Sequence, residues 1–213
     1  AATGDIPILG TSVTDYGTAL GMEDFTGTTG VNISGTSDLA PLDQQANMIM
    51  ELFPSAKKVG MLYCSAEANS VYQVNIIKAA LESRGIRCQD FAFSDSNDVS
   101  AVTANACSWS DVIYIPTDNT AASCTETIRN VVEPAKIPVV AGEEGICKGC
   151  GVATLSISYY DLGYRTGEMA AEILGGSDVS TMPIQYAPKF TKEYNAELCS
   201  ILGVEVPEDY VAI

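Results

Sequence analysis

Short polar clusters follow the apolar runs of this sequence, and they hold the side chains able to do chemistry. Five stand out: Thr11-Ser12-Val13-Thr14-Asp15, Ser65-Ala66-Glu67-Ala68-Asn69-Ser70, Pro116-Thr117-Asp118-Asn119-Thr120, Gly142-Glu143-Glu144-Gly145 and Ser156-Ile157-Ser158-Tyr159-Tyr160. Hydroxyls, carboxamides and carboxylates grouped in this way bind small polar molecules through hydrogen bonds and charge. Asn69 and Ser70 stand where a helix is expected to begin. Free backbone N–H groups and the helix dipole favour an anion there, such as a carboxylate. Asp118 and Glu143 or Glu144 suit a cation such as an α-ammonium group. Opposite charges at opposite ends describe a zwitterion. The same residues have a plainer reading, because Ser, Asn and Asp at helix starts are ordinary N-caps. Glu143-Glu144, set between glycines, fits neither a cap nor a helix face in the sequence and is harder to read as structural.

Catalysis finds little support. The chain contains no histidine, which excludes a Ser-His-Asp or Cys-His site within it and removes the commonest metal ligand. It has no GxxxxGK[ST] and no GxGxxG after a strand, and no pair of catalytic carboxylates can be picked out by spacing. Seven cysteines are present, an odd number, so at least one lies outside any intramolecular disulfide. Cys147-Lys148-Gly149-Cys150 has CxxC spacing without a second such pair, and plain thiols or a local disulfide are expected ahead of metal or redox roles. Cys64 and Cys88 fall in predicted strands and read as core. Trp109 and most tyrosines also read as core or surface. No metal or cofactor is implied.

The 213 residues are 46% hydrophobic and 18% charged, the balance of an ordered globular chain long enough for one large domain or two lobes. The net charge of −16 repels phosphate backbones and anionic lipid, which argues against nucleic-acid binding. No run of 18 apolar residues occurs, and Ala1-Ala2-Thr3-Gly4-Asp5 shows neither a basic n-region nor an apolar h-region.

The elements that must position the clusters alternate strand and helix. Residues 58–63, 86–93, 111–116, 137–141 and 152–157 read as strands, with shorter ones at 6–10 and 182–186. Pro41 opens an amphipathic helix whose Leu42, Ala46, Ile49, Met50 and Phe53 share a face, and Pro54 ends it. Further helices are expected at 70–84, 99–107, 124–134, 161–174 and 195–202, with Leu162, Met169, Ile173 and Leu174 facing inward in the one at 161–174. Residues 17–35, rich in Gly and Thr, read as loop. The alternation implies parallel sheets covered on both faces, an α/β fold. Ligands of such sheets bind beyond the C-terminal strand ends, where the clusters lie.

In order along the chain, Ile6-Pro7-Ile8, Val13-Thr14-Asp15, Val31 to Asp38, Glu67-Ala68-Asn69-Ser70, Pro116 to Thr120, Ala141 to Gly145 and Tyr159 to Gly163 resemble one family. It is the ABC-transporter substrate-binding lipoproteins of the tryptophan or aromatic amino-acid type. The resemblance implies a two-lobed type 1 periplasmic-binding-protein fold, with a first lobe from residues 1–56 and 146–190 and a second from 57–145 and 191–213. It implies an extracytoplasmic, periplasmic or lipid-anchored solute-binding component of an importer, not an enzyme, which holds a small ligand, an amino acid, in the interlobe cleft. Its partners would be the ligand and the ABC permease subunits. Asn69, Ser70, Asp118, Asn119 and Glu143 would be second-lobe contacts, Thr14 and Asp15 first-lobe contacts, and Tyr159 would line the site near the hinge. Family members carry further residues before the strand that begins here at Ile6, so the first lobe is expected to be incomplete, with a dimer as one way to cover it. A ligand-sensing ectodomain, or an enzyme on a similar scaffold with Asp118 or Glu143 as acid or base, is the alternative reading.

Overall fold

The computed structural model describes residues 3–213, so Ala1 and Ala2 of the N-terminal segment considered above lie outside the described residues. In chain order the elements are β1 (Ile8–Gly10), α1 (Tyr16–Leu20), β2 (Ile33–Ser37), α2 (Leu42–Leu52), β3 (Lys58–Cys64), α3 (Ala68–Glu82) and β4 (Arg87–Phe93). They continue with α4 (Val99–Trp109), β5 (Val112–Ile115), α5 (Asn119–Ser123), α6 (Thr125–Ala135), β6 (Val139–Ala141), α7 (Glu144–Cys150) and β7 (Ala153–Ser156). Then come α8 (Tyr159–Leu174), a 3₁₀ turn at Val179–Thr181, β8 (Gln185–Tyr186), β9 (Thr191–Tyr194), α9 (Ala196–Leu202) and β10 (Val211–Ala212). They form two compact units, one of Ala1–Leu39 with Ile157–Phe190 and the other of Ala40–Ser156 with Thr191–Ile213. The expected boundaries put residues 40–56 and 146–156 with the first lobe. Instead, α2 packs on α3 and β7 pairs with β6 and β9, so both belong to the second unit.

The second unit is a seven-stranded sheet in the order β10-β9-β7-β6-β5-β3-β4. Its central strands are near-continuous apolar runs, as strands covered on both faces must be. Val112 to Ile115 and Val139 to Ala141 are buried throughout. On one face Leu62, Phe93, Ile113, Ile115, Val139, Ile128 and Ile146 form a single cluster. Each such side chain contributes roughly 1.5–3 kcal/mol on burial. The α2 helix buries Leu42, Ala46 and Ile49 as expected and also Gln45 and Met48, while Met50 is half-buried.

The sheet is not wholly parallel, because β9 runs antiparallel to β7 (Thr154 opposite Glu193). Its sequence, Thr191-Lys192-Glu193-Tyr194, lacks the apolar alternation that marks a strand. The α7 helix was also not expected; it nucleates on an N-cap supplied by Glu143. Cys88 is half-buried, not core. No cysteine of the described residues is in a disulfide. Burial pushes the Cys150 thiol up to about 12 and the Cys147 thiol well above its ordinary value, so the CxxC pair consists of protonated, unreactive thiols.

The first unit is built on a smaller scale. Three parallel strands in the order β1-β2-β8 carry α8. Its apolar clusters are small: Tyr16, Ile33 and Ile184 in one, Ile157, Leu162 and Ala187 in another. Residues 17–35, expected as loop, contain most of α1 and the start of β2. Asp15 Oδ1 accepts the Thr18 N–H at 2.7 Å and caps α1. The β2 strand, Ile-Ser-Gly-Thr-Ser, is fully buried without apolar alternation because its hydroxyls bond inward. Ser34 Oγ donates to Met182 O (2.9 Å) and Ser37 Oγ to Thr14 O (2.9 Å). Gly35, at φ 144°, lies so close to β1 that a Cβ there would sit 2.0 Å from Gly10 O. In α8 the inward assignment fits Leu162 and Met169, but Leu174 is 89% exposed at the helix end.

Candidate functional site

The C-terminal ends of β3, β5 and β6 bring three of the polar clusters to one rim of the second unit's sheet. Hydrogen bonds bind them into one network. Gly142, just after β6, approaches Pro116-Thr117 so closely that a Cβ would fall 2.5 Å from Thr117 N, so only glycine fits. The Gly142 carbonyl accepts the Thr117 hydroxyl (3.4 Å) and the Gln45 amide of α2 (3.2 Å). Gln45 Oε1 in turn accepts the fully buried Tyr114 hydroxyl at 2.6 Å. Gln73 of α3 donates to Thr117 O (3.2 Å) and accepts from Thr117 N (3.1 Å). Buried amides thus hold the β5 loop from both sides, which fixes its backbone more firmly than an apolar floor would.

Asp118 is 1% exposed and faces into the protein. Its Oδ1 caps α5 by accepting Ala121 N–H (2.7 Å), and its Oδ2 accepts Cys64 N–H (2.7 Å) and Ser70 Oγ–H (2.7 Å). Burial raises its pKa and outweighs these three bonds, which lower it. Asp118 and Ser70 are therefore a brace that joins the ends of β3 and β5 beneath the rim.

Above them stands Glu67, which the sequence did not single out. Its side chain leaves α3 uncapped and reaches the start of α5. Oε1 accepts Thr120 N–H (2.8 Å) and Thr120 Oγ–H (2.7 Å); Oε2 accepts Asn119 N–H (3.0 Å) and Asn119 Nδ2–H (2.8 Å). Burial alone would raise this carboxyl, but the hydrogen bonds from Thr120 and Asn119 together hold it below its ordinary value. Asn69 is half-buried beside it and donates Nδ2–H to Thr117 O (2.9 Å) and to Glu67 Oε2 (3.4 Å). Asn69, Ser70, Asp118 and Asn119 are thus brought together, with Glu67 and Thr117 at their centre.

Glu143 has a structural part after all. Its carboxylate accepts Gly145 N–H (2.7 Å) and Ile146 N–H and caps α7, while Glu144 in the first turn pairs with Lys148. The sequence does not show these roles because α7, Glu-Gly-Ile-Cys-Lys-Gly-Cys, is short and holds two glycines, which disguise it as a loop.

Thr14, Asp15 and Tyr159 lie in the first unit. Thr14 is buried and uses its carbonyl to hold Ser37; Asp15 caps α1; Tyr159, part-exposed at the start of α8, directs its hydroxyl to Asp38 Oδ2 at 3.3 Å. Nearby, burial followed by the Asp38 charge pushes Tyr16 up to about 12. Among the described residues no group of three or more His, Cys, Asp or Glu could hold a metal ion, and no helix is long and apolar enough to cross a membrane.

Known proteins resemble this chain in sequence and in fold. The family profile described as ABC transporter substrate binding protein matches residues 1–212. A tyrosine-binding protein of Clostridioides difficile (strain R20291) is 36% identical over 183 residues, 86% of this chain and 53% of its own length, so the chain spans about half of that curated relative. The ABC domain from Streptococcus pneumonia in complex with L-Trp superposes with a TM-score of 0.91 at 29% identity, over 99% of this chain and 74% of that one. The ligand-free, open structure of a substrate binding protein with adhesive properties from Clostridium difficile gives 0.77 at 35% identity, over 100% and 72%. With the parallel-dominated α/β architecture, these matches give the type 1 periplasmic-binding-protein fold. The chain belongs to the family of ABC transporter substrate-binding proteins.

Proposed function

We propose that this protein is the extracytoplasmic solute-binding component of an ABC importer, that its ligand is an aromatic amino acid, and that it performs no chemistry on that ligand. The observation that carries the reading is the rim of the second unit's sheet. Three strand-end loops are locked by buried amides and carboxylates, and the carboxamides of Asn69 and Asn119 are held at its surface. A preorganised polar rim of this kind suits a ligand that is bound and released unchanged. The ligand class follows the relatives, one described as tyrosine-binding and another solved with L-Trp.

In this reading Asn69 and Asn119 touch the ligand, Ser70 and Asp118 support them from below, and Glu143 fixes the neighbouring loop by capping α7. Thr14, Asp15 and Tyr159 are proposed as contacts contributed by the first unit, on the strength of the family resemblance. The permease subunits of the importer are the proposed protein partners. Calorimetric titration with L-tyrosine, L-tryptophan and L-phenylalanine tests the reading. Saturable binding of at least one, weakened in Asn69→Ala, is expected. Heat from none of the three, with binding of a sugar instead, would sink it.

A further inference from the structure

The side chains along the rim direct their hydrogens inward. Ser65 Oγ–H goes to Phe93 O (3.2 Å), Ser70 Oγ–H to Asp118, Thr117 Oγ1–H to Gly142 O and Thr120 Oγ1–H to Glu67. The amides of Asn69 and Asn119 behave alike, and their orientation is not arbitrary. Thr117 O and the Glu67 carboxylate can only accept, so each amide must turn its NH₂ toward them. Planar amide geometry then turns the Oδ1 of both residues away from Glu67. Neither Oδ1 accepts a hydrogen bond from any described residue. No Lys or Arg occurs in residues 65–70, 116–120 or 142–145, and nearby Lys148 is paired with Glu144. The side chains of the rim therefore offer acceptors and negative charge, with no cation among them.

We infer that Glu67 is a positioning residue that sets the polarity of this rim: by holding the NH₂ groups of Asn119 and Asn69 it presents their two carboxamide oxygens as acceptors for the ligand's α-ammonium group. The inference rests on the amino-acid reading above and adds which end of the ligand the rim recognises and which residue enforces it. An ammonium brings three donors and a full positive charge, and it matches paired carbonyl oxygens backed by a carboxylate. A ligand lacking the amine leaves those oxygens unsatisfied, and such losses are what give polar sites their selectivity.

Titrate L-tyrosine and L-tryptophan, each beside its des-amino analogue (the corresponding aryl propionate), into the wild type, Glu67→Gln and Asn119→Ala. In Glu67→Gln one carboxylate oxygen becomes an NH₂ donor, and the Asn119 amide is free to flip, while Asn69 keeps its bond to Thr117 O and loses only the longer one to Glu67. Asn119 is exposed, so Asn119→Ala removes one acceptor without disturbing the core, and it keeps the test valid if Glu67→Gln folds poorly. The wild type is expected to prefer the amino acid over its des-amino analogue. Each variant is expected to shrink that preference by roughly tenfold, because it weakens the amino acid more than the analogue. An unchanged ratio in both variants, whether or not the two affinities fall together, overturns the inference and leaves the amino-acid reading standing. So does a wild type that does not discriminate. A wild type that binds neither amino acid sinks the reading itself.

Discussion

The two units of this chain are held together in different ways. In the second, three central strands bury apolar side chains on both faces, and the apolar mass far exceeds what any one residue supplies. In the first, three short strands bury Ser34, Thr36 and Ser37, and the strands approach through Gly10 and Gly35. Apolar burial spread over many side chains is tolerant, because losing one leaves the others in place. A fit made of hydroxyls and close backbone contact is brittle, because one extra methyl has nowhere to go. The second unit can therefore carry a polar rim over its core and still be robust.

The sharpest way to break this contrast is Gly35→Ala. The added Cβ meets a backbone oxygen at 2.0 Å at a φ that alanine disfavours, and the expected cost is on the order of 3 kcal/mol or more. Hydrogen exchange should show amides of β1, β2 and β8 losing protection while those of β3, β5 and β6 keep theirs. Equal loss in both units would mean the units do not differ in this way. Next in size is Asp118→Asn in the second unit. The amide cannot accept all three hydrogen bonds, and a cost of about 2–3 kcal/mol is expected, seen as a lower urea midpoint with an unchanged slope.

Tyr114→Phe is a smaller change. It leaves Gln45 Oε1 buried without its donor, for about 1–2 kcal/mol in the same measurement. Glu67 has a pKa held below its ordinary value of 4.5, so its contribution to stability is full above that pH and is lost as pH falls through the folded-state value. The stability difference between wild type and Glu67→Gln should stay constant above about pH 5 and shrink on acidification below it. The smallest expected effect is Leu174→Gln at the exposed end of α8, which should leave the melting temperature unchanged.

Legibility in the sequence followed the same division. Strands β3, β5 and β6 and helices α2 and α3 could be read because apolar periodicity created them. Elements made by polar contacts could not: β2 depends on hydroxyls that bond to Met182 and Thr14, and α7 depends on a cap 2 and 3 residues ahead of its bonded N–H groups. The rim itself was visible, because strand ends and polar clusters coincided. The direction each side chain takes there was not. Asp118 was read as a cationic contact and instead faces a backbone N–H of β3, 54 residues away. Glu67 lies in one of the polar clusters, but nothing local marks its part, since its partners Asn119 and Thr120 are 52 and 53 residues downstream. The sequence does carry one signal of the network beneath the rim: Gln45, on the apolar face of α2 beside Ala46, marks a buried amide that must have a partner.

The pairing of β2 with β8, Thr36 opposite Gln185, has a consequence for the protein's birth on the ribosome. The two strands lie roughly 150 residues apart, and synthesis at about 5–20 residues per second separates their emergence by roughly 7–30 s. During that interval the second unit's central strands can assemble, while β2, with β1 already made, waits with its other edge open. A strand of Ile, Val and Phe left open so long would invite association between nascent chains. Ile33-Ser34-Gly35-Thr36-Ser37 is a poor template for such association, so the hydroxyl-rich composition that makes the first unit brittle when folded also keeps it soluble until its partner strand arrives.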